Sequence, residues 1–195
     1  MFGSVDYLKG MKMTKYRIAL AALIFAVIPL MSARPAAAAT AEEIDRDAAA
    51  ALKFLYADDP KAKELGAAAK GILVFPKVYK AGFIGGAQYG EGALLENGKT
   101  VGYYSTAEGS YGLQAGIQKF SYVLFIMKDH VLEDFKNSSG FELGVGPSIV
   151  VVDAGVARTL TTTTLKADIY AYIFSQKGLM AGLGVKGAKI TKIER

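Results

Sequence analysis

The sequence predicts an α+β fold in which N-terminal helices pack on a curled, glycine-rich, mostly antiparallel β-sheet or barrel-like body, with one further helix near 128–137. Three observations predict it. Two segments with helix-capping signals precede Gly71, and short apolar runs separated by turn signals follow it. Glycine recurs in blocks inside those runs, which favours bulges and sharp curvature over a flat sheet. A ligand cleft lined by glycine is the alternative use of the same residues.

The first 39 residues have the pattern of a secretory signal peptide. A cationic stretch precedes an uncharged run from Ile18 to Met31, which is shorter than the ~20 residues that a helix needs to cross a bilayer. Small residues from Ala36 to Ala39 then offer small-x-small sites for a signal peptidase. We therefore expect a single exported domain over residues 40–195, beginning near Thr40. It would be periplasmic or associated with the cell surface, with no cysteine for a lipid anchor.

Two helices are expected at the start of that domain. Thr40 and Glu43 form a capping box ahead of apolar residues at helical spacing, which predicts a helix over residues 42–56. Asp59 and Pro60 then provide the cap and first turn of a second helix that ends at Gly71.

The remainder of the chain has the pattern of strands. Asn97-Gly98 is a strong hairpin signal, and residues 128–137 form the one helical segment. The predicted strands are 72–75 (ending at Pro76), 81–86 leading into 88–95, 100–105, 113–118, 120–127, 141–145, 148–152, 165–174, 179–184 and 185–193.

Composition narrows the possible functions. The absence of cysteine excludes thiol nucleophiles and Cys-based zinc sites, and a single histidine leaves little room for a catalytic triad. The whole chain carries +5, but residues 40–195 hold 18 basic and 17 acidic groups, so nucleic-acid binding is not expected. The G-x-G-x-x-G pattern at residues 182–187 lacks room for the helix and acid that a dinucleotide site requires, and no cofactor is expected.

One cluster contains metal-ligand residue types. His130, Glu133 and Asp134 would support a metal-dependent hydrolase, whereas a solvated helix face explains the same residues without a metal. We expect the solvated face, no metal site and no enzymatic activity.

Lysines are unevenly distributed. There is no acidic residue between Glu64 and Glu91, and the C-terminal tail is also basic. Such patches suit anionic lipid headgroups, at ~1 kcal/mol for each lysine near the surface. Solvated lysines on strand edges are the alternative.

An ordered series of segments covers roughly residues 52–193, namely 75–86, 90–92, 104–105, 112–116, 141–144 and 175–182. In this series the chain resembles the SYLF-domain family. The resemblance implies a non-enzymatic lipid-binding module. Eukaryotic members bind phosphoinositides, some also bind actin, and bacterial members are mostly envelope proteins.

Two features depart from the eukaryotic members. Their N-terminal amphipathic helix contacts lipid, whereas the first helix here has a net acidic polar face that an anionic leaflet would repel. An exported protein would also meet neither actin nor, ordinarily, phosphoinositides.

We therefore expect peripheral binding of phospholipid headgroups by an exported envelope protein. The predicted contacts are Lys70, Lys77, Tyr79, Lys80, Phe83, Lys186, Lys189 and Lys192. The alternative is a structural or protein-interaction module of the envelope that binds a protein partner without lipid.

Overall fold

The structure is a computed structural model, and it describes residues 38–82, 85–111, 116–152, 165–178 and 187–195. Within these residues there are three helices and a curled eight-stranded mixed sheet that forms a half-barrel, which confirms the predicted α+β class. The helices are α1 (Ala41–Asp58), α2 (Pro60–Ala68) and α3 (Asp129–Asn137). The strands are β1 (Gly71–Gly82), β2 (Gly85–Glu96), β3 (Lys99–Tyr111), β4 (Gly116–Ile126), β5 (Gly140–Glu142), β6 (Ile149–Val152), β7 (Ile169–Gly178) and β8 (Lys189–Ile193).

The helix starts follow the predicted capping chemistry. The Thr40 hydroxyl accepts the Glu43 N–H, and the Glu43 carboxylate accepts the Thr40 N–H, so the capping box at α1 is complete. The Asp59 carboxylate caps α2 by accepting the N–H groups of Lys61 and Ala62.

The strand order is β5-β8-β3-β2-β1-β4-β7-β6, and every neighbouring pair is antiparallel except β6 and β7. The two edge strands, β5 and β6, are consecutive in the chain and joined by residues 143–148 alone. Such a link spans at most about 25 Å, whereas eight flat strands would separate the edges by roughly 34 Å. The sheet therefore has to curl for this connection to close.

The connection also identifies the inner face of the sheet. It carries Leu143 into an apolar cluster that contains Phe75, Tyr104 and Tyr122, and the Leu143 N–H donates to the Ala188 carbonyl. Helix α3 adds Val131, Leu132 and Phe135 to the same cluster. Helices α1 and α2 cover one part of the opposite, outer face and bury Ile44, Ala48, Leu55, Ala62 and Leu65 against it.

Three strand predictions were wrong. Residues 81–86 do not form one strand, because Gly82 ends β1 and pairs with Gly86 at the start of β2. Strand β1 does not end at Pro76 but continues to Gly82, because a bulge at this point absorbs the missing N–H and shifts the register toward both neighbours. The Ser121 hydroxyl donates to the Pro76 carbonyl across the bulge. The two strands predicted around residue 119 form one strand, β4. The strand predicted at 179–184 lies outside the described residues.

Candidate functional site

A row of basic and aromatic side chains crosses the outer face of the sheet. Lys177 pairs with Lys119, Lys119 with Tyr79, and Tyr79 with Tyr89, so four adjacent strands place these residues side by side. Ala107 continues the row to Lys189 on β8. We call Lys177, Lys119, Tyr79, Tyr89 and Lys189 the lysine–tyrosine stripe. Members on adjacent strands lie about 5 Å apart because that is the strand spacing, whereas Ala107 on β3 separates Tyr89 from Lys189 by two such spacings.

The aromatic members of the stripe are exposed. Tyr79 is 53% accessible and Tyr89 is 51% accessible. The Lys119 ammonium lies 5.6 Å from the centre of the Tyr79 ring, within the range of a cation–π contact. Partial burial, together with the bond from the Tyr89 hydroxyl to Glu91 Oε1 (2.8 Å), raises the pKa of Tyr89. Its phenol is therefore neutral at physiological pH.

An apolar row lies next to the stripe. Ile117, Ala81, Ala87 and Gly109 pair across β4, β1, β2 and β3, two residues further along each strand. All four are exposed, and Ile117 is 72% accessible. Cations, tyrosines and an exposed apolar side chain therefore share one surface, in the order that suits a membrane interface.

A groove of about 400 Å³ adjoins the stripe between α1 and the sheet. Its lining includes three lysines, Lys77, Lys119 and Lys177, together with the exposed ring of Phe54. Asp47 of α1 forms an ion pair with Lys77. Burial acts to raise the pKa of Asp47, but its hydrogen bonds and attraction to Lys77 and Arg46 hold this pKa below the usual value. The charge of Lys77 is thus paired with that of Asp47. Lys119 and Lys177 supply the remaining positive charge of the groove.

Other acidic residues of α1 also hold the helix on the sheet. Asp45 accepts hydrogen bonds from the Thr100 hydroxyl (2.8 Å) and the Tyr103 hydroxyl (3.0 Å). The acidic face that the sequence assigns to this helix is therefore partly a structural contact with β3.

The residues that the sequence predicts as lipid contacts lie in several different places in the structure. Tyr79 and Lys189 belong to the stripe, and Lys77 lines the adjoining groove. Lys70 lies at the opposite end of β1, where its ammonium is 3.4 Å from the Asp129 carboxylate. Lys192 lies beside α3 and donates to the Lys136 carbonyl at 2.9 Å. Phe83 and Lys186 lie outside the described residues.

Lys80 lies on the inner face and is only 5% accessible, so it does not share a surface with Lys77 and Tyr79. It is one member of a polar row formed by Gln118, Lys80, Gln88 and Glu108, which pair across β4, β1, β2 and β3. Gln88 Nε2 donates to Glu108 Oε2 at 2.9 Å. Burial raises the pKa of Glu108, and the positive charge of Lys80 opposes that shift. Lys77 and Lys80 are three positions apart on β1, so the alternation of side chains along a strand places them on opposite faces.

Sequence reasoning missed three members of the stripe, Lys119, Lys177 and Tyr89. Any two of these three residues lie at least 30 positions apart in the chain. Only the strand register brings them onto one row. The alternation of polar and apolar residues around Lys119 in β4 indicates its face. Only the pairing shows that Lys177 and Tyr79 flank it.

His130, Glu133 and Asp134 are exposed on α3. Within the described residues, no group of three potential metal ligands lies close enough together to hold an ion. Among those same residues, no helix combines the length and hydrophobicity required to span a bilayer.

Comparison with known proteins gives one family. The model of the Ysc84 family, described as Las17-binding protein actin regulator, matches residues 107–194. This match contains β4, α3, β7 and β8, and with them Lys119, Lys177 and Lys189 of the stripe. No curated protein matches the chain. The matched region belongs to a family of binding and regulatory domains rather than to a known enzyme family. Residues 107–194 therefore match the Ysc84, or SYLF-domain, family, consistent with the resemblance found in the sequence.

Proposed function

We propose that this protein binds the surface of membranes that contain anionic phospholipids, without catalysis, through the lysine–tyrosine stripe. The observation that carries the proposal is the alignment of three lysines and two half-exposed tyrosines across neighbouring strands. The signal-peptide pattern of the first 39 residues supports an envelope membrane as the place of binding.

Both the charged and the apolar parts of the surface contribute to the binding free energy. Three lysines near an anionic bilayer supply ~3 kcal/mol, which is about two decades of binding constant and is weakened by salt. The tyrosines and Ile117 add apolar contact at headgroup depth, which salt does not screen. The groove beside Lys119 and Lys177 offers space for a headgroup phosphate. Reversible peripheral attachment follows from these magnitudes.

The test is vesicle co-sedimentation of a stripe variant that carries Lys119→Glu, Lys177→Glu and Lys189→Glu. The full chain is expressed in a bacterial host that exports proteins, and the recovered protein is mixed with vesicles of phosphatidylcholine alone or with phosphatidylglycerol. We expect the variant to lose at least about 100-fold in affinity for the anionic vesicles. Affinity of the unaltered protein should fall as salt rises.

The matched control removes the same charge elsewhere. Lys63, Lys99 and Lys166 are exposed on α2, on the β2–β3 hairpin and ahead of β7, and their reversal to Glu should weaken binding much less. Equal losses in the two variants would show that net charge, and not the stripe, governs binding. A folded stripe variant with unchanged binding would refute the assignment.

A protein-interaction module is the second candidate, since the family description names binding of the protein Las17. It predicts a partner retained from envelope extracts in the absence of lipid. Absence of vesicle binding under every condition above, together with such a partner, would favour this function.

A further inference from the structure

The boundary between leader and domain coincides with a specific contact. The compact unit that contains the helices and the sheet begins at Ala39 and extends to Arg195. Ala39 packs against the apolar cluster of the outer face. Its backbone N–H donates to Glu91 Oε2 at 3.2 Å. Ala39 therefore belongs to the folded domain, one residue before the start near Thr40 that the sequence predicts.

The Glu91 carboxylate is well placed to receive a positive charge at this point. Its side chain is only 10% accessible, and its other oxygen accepts the Tyr89 hydroxyl and forms an ion pair with Arg195. The oxygen facing Ala39 has one neutral N–H as its bonding partner among the described residues. A charged donor at the Ala39 nitrogen would form a stronger, charge-assisted bond.

Ala36 and Ala38 are small residues at the third and first positions before the Ala38–Ala39 bond, as a signal peptidase requires. Ala37 and Ala39 satisfy the same rule for the next bond, so sequence alone permits either cut. The fold distinguishes them. Cleavage after Ala39 would remove the contact with Glu91 and would place an ammonium on Thr40, the N-cap of α1, where the helix dipole disfavours positive charge.

We propose that a signal-peptidase-class endopeptidase cleaves this protein between Ala38 and Ala39, and that the new α-ammonium of Ala39 docks on Glu91. Water supplies the oxygen of the new Ala38 carboxylate as the C–N bond breaks, and the released amine takes up a proton. The Ala39 nitrogen keeps its position and changes from a neutral amide to a cation. Cleavage thus completes a buried site that the unprocessed chain satisfies only in part.

The cleavage position is tested by expressing the full chain in an exporting bacterial host and measuring the N-terminus of the product by mass spectrometry. We expect a chain that begins at Ala39. A product that begins at Thr40 or elsewhere, or a chain recovered only with its leader, would overturn the proposed cleavage. This result is independent of lipid binding.

Docking is tested on the same product through the rate at which an activated acetyl ester modifies the α-amine near neutral pH. The Glu91→Gln variant removes the negative charge of the carboxylate. The Glu91→Asp variant keeps that charge but, with one methylene fewer, moves it away from the Ala39 nitrogen. We expect several-fold faster modification in both folded variants and an unchanged rate in Glu142→Gln, an exposed control on β5. Equal rates in the unaltered protein and in both Glu91 variants would overturn the docking site.

Discussion

At the scale of single residues, the polar row on the inner face is the least expected feature. Gln88 and Gln118 are 4% and 3% accessible, and among the described residues the Oε1 atom of each has no hydrogen-bond partner. Lys80 and Glu108 bring opposite charges into the same row. Buried polar groups cost stability unless they are well paired. This row therefore separates the apolar inner cluster from the end of the sheet at a cost in stability.

The raised pKa of Glu108 makes part of that cost depend on pH. The folded protein holds the Glu108 proton more tightly than the unfolded chain, so its contribution is most favourable below the ordinary value of 4.5. The free energy of unfolding should fall as pH rises from that value through the raised one. We expect Glu108→Gln to gain stability relative to the unaltered protein between pH 4 and pH 7.

Urea unfolding at pH 4 and pH 7 measures this difference. Glu142→Gln, at an exposed position on β5, is the matched control and should show a much smaller change. A Glu108→Gln variant whose relative stability is the same at both pH values would contradict the argument.

At the scale of elements, strand β2 shows why the sheet can curl. Gly90 and Gly92 lie on its inner face, and a Cβ at Gly92 would be 2.2 Å from the Val74 carbonyl oxygen. A Cβ at Gly90 would be 2.7 Å from the Lys77 carbonyl oxygen. Backbone atoms cannot move aside as a side-chain end can, so these two positions accept glycine alone without a shift of β1.

Gly92→Ala should accordingly destabilise the protein strongly, by about 2 kcal/mol or more, since it overpacks a closely fitted strand pair. Gly109→Ala on β3 is the matched control because, among the described residues, a Cβ there would have no atom within 4 Å. Its effect should be small or slightly stabilising. Thermal or urea unfolding of the two variants provides the comparison, and equal losses would refute the role of close approach.

These elements also show how far the sequence could predict the fold. Capping at Thr40 and Asp59, the Asn97-Gly98 turn and the glycine blocks are local signals, and the structure has the helices, hairpin and curvature that they predict. The bulge at Pro76 depends on what β2 and β4 place beside β1. The local sequence pattern could not predict this bulge. It therefore could not predict the face of the sheet on which Lys80 lies, since that face depends on the bulge.

At the scale of the whole molecule, the sheet has two differently occupied ends on its outer face. Helices α1 and α2 cover one part through Ile44, Leu55 and Leu65. The lysine–tyrosine stripe and the apolar row leave the other part exposed. The stripe could not be predicted from sequence because five strands contribute to it, and only their register brings distant lysines together. The site is thus a property of the assembled sheet.

This asymmetry fixes how the molecule should lie on a membrane. Ile117, at the exposed end, should reach the headgroup region, whereas Val101, eight residues from Gly109 along β3, lies roughly 26 Å further along the sheet. The chain has no tryptophan, so a single introduced indole reports one position. In Ile117→Trp, anionic vesicles should shift the emission to shorter wavelength, and brominated lipids should quench it.

Val101→Trp is the matched reporter, because Val101 is also exposed, at 42%, but lies near the β2–β3 hairpin. Its emission should remain that of an indole in water when vesicles are added. Quenching at Val101 without quenching at Ile117 would reverse the orientation and direct attention to the hairpin end. Quenching at neither position, in a protein that still co-sediments, would mean that the lysines hold the molecule at the surface without insertion, and binding should then disappear entirely at high salt.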